Sequence, residues 1–256
     1  MKFSVCITTY DKQDKVNNLI DSFQSCAYKL NVTLRFYISV SNIIIDINPR
    51  TNVKVFKLPK DYFWAKSFKF LLKKIDEDSK KIIHINDDTN ISNEEVEKFL
   101  NLSIVSDVLV ANFYDTKKDH IFGFKRFDGR SFRPASICEA EFFNGNLFMS
   151  NTDLLIESIP FYTYKHGFLD YHLSFKIIKA LNERKLKIEE LDINNKVETN
   201  LERKMLYKTI RDPMNSRLNP FDQIIFYTSI GRPFFGCISF FLNAFKAIKF
   251  YIRRIK

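Results

Sequence analysis

Residues 81–89 read KIIHINDDT: an apolar run from Ile82 to Ile85 that stops on Asn86, Asp87, Asp88 and Thr89. A short apolar run closed by an amide and two carboxylates reads as a buried strand opening into a polar turn. The pattern recurs on both sides. Upstream, FSVCITTY (3–10) is a strand, and 14–30 places Val16, Leu19, Ile20, Phe23 and Ala27 on one helical face. LRFYISV (34–40) and residues 53–58 are further strands, and a helix over 62–75 gathers Trp64, Phe68, Leu71, Leu72 and Ile75. Downstream come a helix over 93–102 and a strand over 107–113. Strand and helix in alternation predict an α/β protein with a mostly parallel central sheet flanked by helices. Such sheets bind ligands beyond the carboxyl ends of their strands, where Thr8-Thr9-Tyr10 and Asp87-Asp88 both fall.

After residue 120 the alternation loosens. Phe122, Phe124 and Phe127 read as an antiparallel edge hairpin, and FFNGNLFMS (142–150) as one strand. A helix from 151 is stopped by Pro160, and another covers 169–181.

Composition narrows the chemistry. The 256 residues are 45% hydrophobic and 15% aromatic, enough to bury the core of a large α/β domain, and the 27% charged fraction is that of a folded chain. Only 6 glycines occur, the first at Gly123. The N-terminal half therefore has no Rossmann fingerprint, no Walker A loop and no glycine-rich nucleotidyltransferase loop. A nucleotide bound there must have its phosphates held by metal and side chains. Cys6, Cys26, Cys138 and Cys237 lie far apart and read as reduced thiols. The apolar stretch at the N-terminus is too short for a signal peptide, which points to the cytoplasm.

The net charge of +10 is uneven: residues 201–256 hold eleven Lys/Arg against three Asp/Glu. From Phe234 onward, Phe234, Ile238, Phe241, Phe245, Ile248 and Ile252 recur at helical spacing, with Lys246, Lys249, Arg253 and Lys256 on another stripe. An apolar face beside a basic one is the pattern of a helix lying in a membrane surface, and also of a terminal helix packed on its own domain. Its apolar run breaks at Lys246, too short to span a bilayer. A near-neutral first 200 residues argue against nucleic acid as the partner.

Three groups of residues carry possible chemistry. Asp87 and Asp88 supply hard oxygen ligands for Mg2+ or Mn2+, though the same pair reads as a solvated turn with an Asp capping the helix at Asn93. Asn144-Gly145-Asn146 breaks an apolar strand where backbone approaches a ligand, or forms a β-bulge. Asp170 opens a helix, where the macrodipole favours its ionised form, as base or as an ordinary helix cap. His84 and Trp64 fit the core better than a ligand site.

In order and separation, these groups resemble the inverting glycosyltransferases of the GT-A fold, of the large bacterial family two type. SVCITTYDKQDKV (4–16) is similar to that family's first strand and loop, KIIHINDDT to its metal strand, and FFNGNLFMSNTDLLIESIPFYTYKHGFLDYHLSFK (142–176) to its acceptor-side stretch. The resemblance covers residues 3–180. It implies Thr8, Tyr10 and Ser41 at the nucleotide, Asp88 with Asp87 on a divalent metal, and Asn144, Gly145, Asn146, His166 and Lys176 around sugar and acceptor. Asp170 is the implied general base. Asn86 stands where the family's first aspartate is usual, His172 where a second helix Asp is usual, and Lys176 where an Arg is usual. The implied reaction is a metal-dependent inverting displacement from a UDP- or dTDP-sugar onto a saccharide or lipid-linked acceptor, in lipopolysaccharide or capsule synthesis. The organisation expected is a glycosyltransferase domain over 1–200, with nucleotide-binding (1–115) and acceptor (116–200) halves. A basic helical extension over 201–256 would hold it peripherally at the cytoplasmic face of the inner membrane. The competing reading is a non-enzymatic basic protein that binds nucleic acid or a membrane surface.

Overall fold

The computed structural model describes residues 1–9, 12–41, 47–48, 50–59, 62, 64–87, 89–115, 121–129, 131–143, 146–164, 168–197 and 219–255. The expected alternation is present. β1 (Lys2–Thr9) leads to α1 (Gln13–Lys29), then β2 (Thr33–Val40), β3 (Val53–Lys57), α2 (Trp64–Leu72), β4 (Lys81–Asn86), α3 (Asn93–Val105) and β5 (Val108–Asp115). Short strands β6 (Ile121–Phe122), β7 (Phe124–Phe127), β8 (Phe132–Pro134) and β9 (Phe142–Phe143) precede β10 (Leu147–Asn151). The chain ends with α4 (Thr152–Ser158), α5 (Leu169–Arg184), β11 (Ile188–Val197), α6 (Pro220–Ser229) and α7 (Pro233–Ile255).

The main sheet is eight-stranded, in the order β11-β5-β10-β4-β1-β2-β3 with β6 paired to β5. β1, β2, β3 and β4 are mutually parallel, as are β5 and β11, whereas β10 enters antiparallel between β4 and β5. Strand order reverses between β1 and β4, so the crevice at their carboxyl ends is the expected ligand position.

Period-two alternation sends side chains to two separate cores. Val5, Ile7, Phe36, Ile38, Ile83, Ile85, Leu109 and Met149 meet α1 and α3 on one face. Cys6, Tyr37, Ile82, Val108, Val110 and Phe148 meet α2, α4, α5 and α6 on the other. Both faces being covered explains why these strands read as unbroken apolar runs.

The stretch 142–150 differs from its reading as one strand. Phe142 and Phe143 pair with Lys125 and Phe124 in a small sheet, β8-β7-β9, while Leu147–Asn151 joins the main sheet. Hydrophobicity continues because each half is buried, but in different sheets. The expected strands do not include the edge strand β11, although Glu190–Ile193 alternates acid with aliphatic at the period of a strand.

The C-terminal helices are joined through Gly231 at φ 75°, and α7 doubles back along α6. Phe226 of α6 is fully buried in the second core, so this part of the 201–256 segment belongs to the globular body. A Cβ at Gly236 would press on Ile224 O and Tyr227 Cβ, both at 3.2 Å, so glycine lets the two helices approach closely. Arg232 ties the turn to the small sheet through Glu141 (2.5 Å) and the Phe127 carbonyl (3.3 Å).

Candidate active site

The register of β1 and β4 pairs Thr8 with Asn86, which brings the next residues, Thr9 and Asp87, to the same face beyond the sheet. Thr9 Oγ1 donates to Asp87 Oδ2 at 2.7 Å. The backbone N–H of Lys12 in turn donates to Thr9 Oγ1 at 3.3 Å, so the hydroxyl is oriented from behind.

Asn86 and Asn146 lie on the other face and bind each other twice. The Asn86 N–H donates to Asn146 O at 2.9 Å, and Asn86 Nδ2 to Asn146 Oδ1 at 3.0 Å. Thr89 N–H closes the turn on Asn86 O at 3.1 Å. Asn86, where the resembled family usually has an aspartate, is thus the clamp between the β4 end and the start of β10. Ser41, the residue after β2, donates its N–H to Thr9 O at 3.3 Å and meets Ser67 of α2 through its hydroxyl, also at 3.3 Å.

The N-cap of the following helix is a serine, not an aspartate. Ser92 is the N-cap of α3, with a capping box in which its Oγ accepts from Glu95 N (3.3 Å) and Glu95 Oε2 accepts from Ser92 N (2.9 Å). The spacing Ser-x-x-Glu was the available signal. Relieved of that duty, Asp87 is placed by Thr9 at the crevice.

Asp170 lies in the first turn of α5, behind Phe168, whose φ of 67° puts a bulky residue in the left-handed region. Such a conformation costs about 1–2 kcal/mol and persists only when surroundings impose it. Here the Phe168 ring stacks on Phe226 of α6 at 4.6 Å. One residue past Asp170, Tyr171 stacks on Phe132 (4.3 Å) and meets Phe142 edge-on (5.9 Å). The chain from Phe142 reaches Asn146, and so Asn86, within four residues. The start of α5 is therefore packed against the strand that leads into the β4 edge.

His172, half a turn on, is buried, with Nδ1 2.6 Å from the Tyr164 hydroxyl and 3.4 Å from Ser229 Oγ. Burial, helped by the Lys176 ammonium, pushes its pKa down to about 4, so near neutrality the ring is uncharged. Lys69 Nζ donates to Pro160 O (2.9 Å), Phe161 O (3.1 Å) and Thr163 Oγ1 (2.8 Å), fixing the loop before α5.

Among the predicted site residues, Thr8, Ser41, Asp87 and Asn146 come together at the carboxyl edge, Thr8 buried beside Asn86 in the ladder. Lys176 lies farther along α5, lining a shallow groove with Glu157, Lys179, Glu183 and Arg184. Tyr10, Asp88, Asn144, Gly145 and His166 lie outside the described residues. Sequence reasoning set Thr9 at a ligand-binding strand end but gave it no role of its own, which comes from the register that puts it on the Asp87 face. His84 is buried and Trp64 packs against the same core, as expected, with Trp64 Nε1 donating to His84 Nε2 at 2.9 Å.

The described donors on the Asp87 face of the β1–β4 edge are hard oxygens, its own carboxylate and the Thr9 hydroxyl. That set suits a cation of the Mg2+ or Mn2+ kind, which takes one or two carboxylates and completes its shell with phosphate and water. Among the described residues no group of three His, Cys, Asp or Glu side chains forms a self-sufficient metal cage.

No protein-family model matches the chain, nor does the sequence of any curated protein. Solved structures match its fold. Glucosyl-3-phosphoglycerate synthase from Mycobacterium tuberculosis, in complex with Mn2+, UDP-glucose and phosphoglyceric acid, superposes with a TM-score of 0.56 at 16% identity, over 91% of this chain and 80% of that one. The same enzyme with Mn2+, UDP and phosphoglyceric acid gives 0.53 at 12% identity, over 91% and 79%. Its complex with UDP gives 0.53 at 13%, over 91% and 81%. The chain thus has a GT-A type fold, a mostly parallel central sheet flanked by helices, with a C-terminal helix added.

Proposed function

We propose that this protein transfers a glycosyl group from a nucleoside-diphosphate sugar to a saccharide or lipid-linked saccharide acceptor, with inversion at the anomeric carbon. The observation that carries the reading is the Thr9–Asp87 bond at the crevice where strand order reverses. Residues 1–115 form the nucleotide half and 116–200 the acceptor half. The solved structures similar in fold hold UDP or UDP-glucose, with Mn2+ in two of the three, and this supports the donor class.

In this reading Thr8, Ser41 and Tyr10 border the nucleoside, and Asn144 to Asn146 border the sugar. Asp87, with Asp88, would hold Mn2+ or Mg2+, which neutralises charge on the diphosphate leaving group. Asp170 accepts the acceptor hydroxyl proton as that oxygen bonds the anomeric carbon and the bond to the diphosphate oxygen breaks. The stack of Phe168 on Phe226 holds the first turn of α5, and with it Asp170, in place for an in-line approach.

The test is a melting-temperature panel of nucleoside diphosphates with Mn2+. One of them should stabilise the parent, and Asp87→Ala and Asp88→Ala should each abolish that shift. Asp170→Asn should keep the shift yet lose transfer of labelled sugar by about 10²–10⁴-fold. No shift with any nucleotide, or full turnover by Asp170→Asn, overturns the assignment.

A further inference from the structure

The outer face of α7 is apolar and uncovered. Phe234, Ile238, Phe241, Phe245, Ile248 and Ile252 follow one another at three- and four-residue steps, and all are exposed, Phe241 at 71% and Phe245 at 69%. The opposite face is occupied: Gly236 rests on α6, Ala247 is buried, and Asn243 Nδ2 donates to Gln223 Oε1 at 2.8 Å in a buried pair. Lys246 and Lys249 are exposed beside the apolar strip, Arg253, Arg254 and Lys256 follow in sequence, and no acid occurs from Pro233 onward. The apolar surface continues onto α6, where half-exposed Phe221 meets Phe240 edge-on at 5.5 Å.

We propose that α7 docks lengthwise on an anionic lipid bilayer, its phenylalanine face in the headgroup–acyl boundary and its lysines on lipid phosphates. Charge selects this occupant. A second copy of the helix packed face to face would bring two basic edges together, whereas an anionic surface complements them.

Crossing the bilayer is the competing geometry. By length and composition Pro233–Ile252 is apolar enough to span, despite Lys246, which corrects the expectation of too short a run. A spanning helix, however, would have to leave α6, which the buried Phe226 and Asp222 anchor in the globular body. It would also strip Asn243 of Gln223 in hydrocarbon. The inference stands apart from the transfer reaction. Because α6 both backs α7 and stacks Phe226 on Phe168, the docked face and the first turn of α5 keep one fixed relation.

Flotation of the full chain with vesicles tests it. The protein should float with phosphatidylglycerol–phosphatidylcholine vesicles, at least about tenfold less with phosphatidylcholine alone, and be released by high salt. F241D/F245D should abolish floating and K246E/K249E weaken it about tenfold or more, with unchanged melting because all four positions are exposed. Equal floating on both vesicles, no floating at all, or variants that float like the parent would overturn the proposal. So would resistance to alkaline carbonate, which marks a spanning helix, or a dimer that F241D/F245D converts to monomer, which marks a second copy as the occupant.

Discussion

Thr9 Oγ1 lies 2.7 Å from Asp87 Oδ2, joining the ends of two neighbouring parallel strands across the crevice. A hydroxyl donating to a carboxylate orients it without neutralising it. Thr9→Val keeps the shape and removes the donor. The variant should lose about 1–2 kcal/mol in urea unfolding, and its melting shift with nucleoside diphosphate and Mn2+ should shrink. Thr9→Ser should retain both, and an undiminished shift in Thr9→Val would show that Asp87 needs no such support.

The strands and helices up to residue 115 were legible because two covered faces leave long apolar runs and clear helical stripes, as in FSVCITTY and the Val16–Leu19–Phe23 face. The insertion of β10 was not, because an antiparallel strand buried on both sides reads like its parallel neighbours. Asp87, Asn146 and the start of α5 were legible as polar breaks in apolar context. The role of Thr9 and the Phe168–Phe226 stack were not, since one depends on interstrand register and the other on a contact across 58 residues of chain. The uncovered face of α7 was visible as a stripe, but which stripe packs on α6 depends on Gly236 and Asn243.

Gly123 owes its identity to Asn112. A Cβ there would overlap the Asn112 amide oxygen, while Asn112 Nδ2 is committed to Glu190 (3.2 Å) and Asp192 (3.1 Å) across the β5–β11 pair. Gly123→Ala should destabilise by about 1–3 kcal/mol, and adding Asn112→Ala should restore part of that loss. Purely additive effects in the double-mutant cycle would refute the steric explanation.

Lys81 is a buried lysine that ends a helix. Its Nζ donates to Ser103 O (2.6 Å), Ile104 O (3.1 Å) and Ser106 O (2.6 Å), collecting the last carbonyls of α3, and burial lowers its pKa. Lys81→Met fills similar volume but leaves those carbonyls without their donor, at a cost of about 2–3 kcal/mol. Hydrogen exchange should quicken in the last turn of α3 first, and uniform acceleration over the whole sheet would argue against a local cap.

His172 makes stability depend on pH in a defined window. Its folded pKa of about 4 lies below the 6.5 of a free imidazole, through burial first and the Lys176 ammonium second. Between these values the unfolded chain binds a proton that the folded chain refuses, so stability rises with pH across the window and falls as pH drops. From pH 7 to 4.5 the loss assigned to His172 should reach about 2–3 kcal/mol. His172→Gln, which keeps a polar partner for Tyr164, should lose that part of the slope while other groups keep theirs. Parallel slopes for parent and variant in urea titrations at pH 7 and 4.5 would mean the imidazole takes up its proton in the folded state. The Tyr164–His172–Ser229 contact would then tolerate a charge beside Lys176, and α6 would hold the first turn of α5 by the Phe168–Phe226 stack alone.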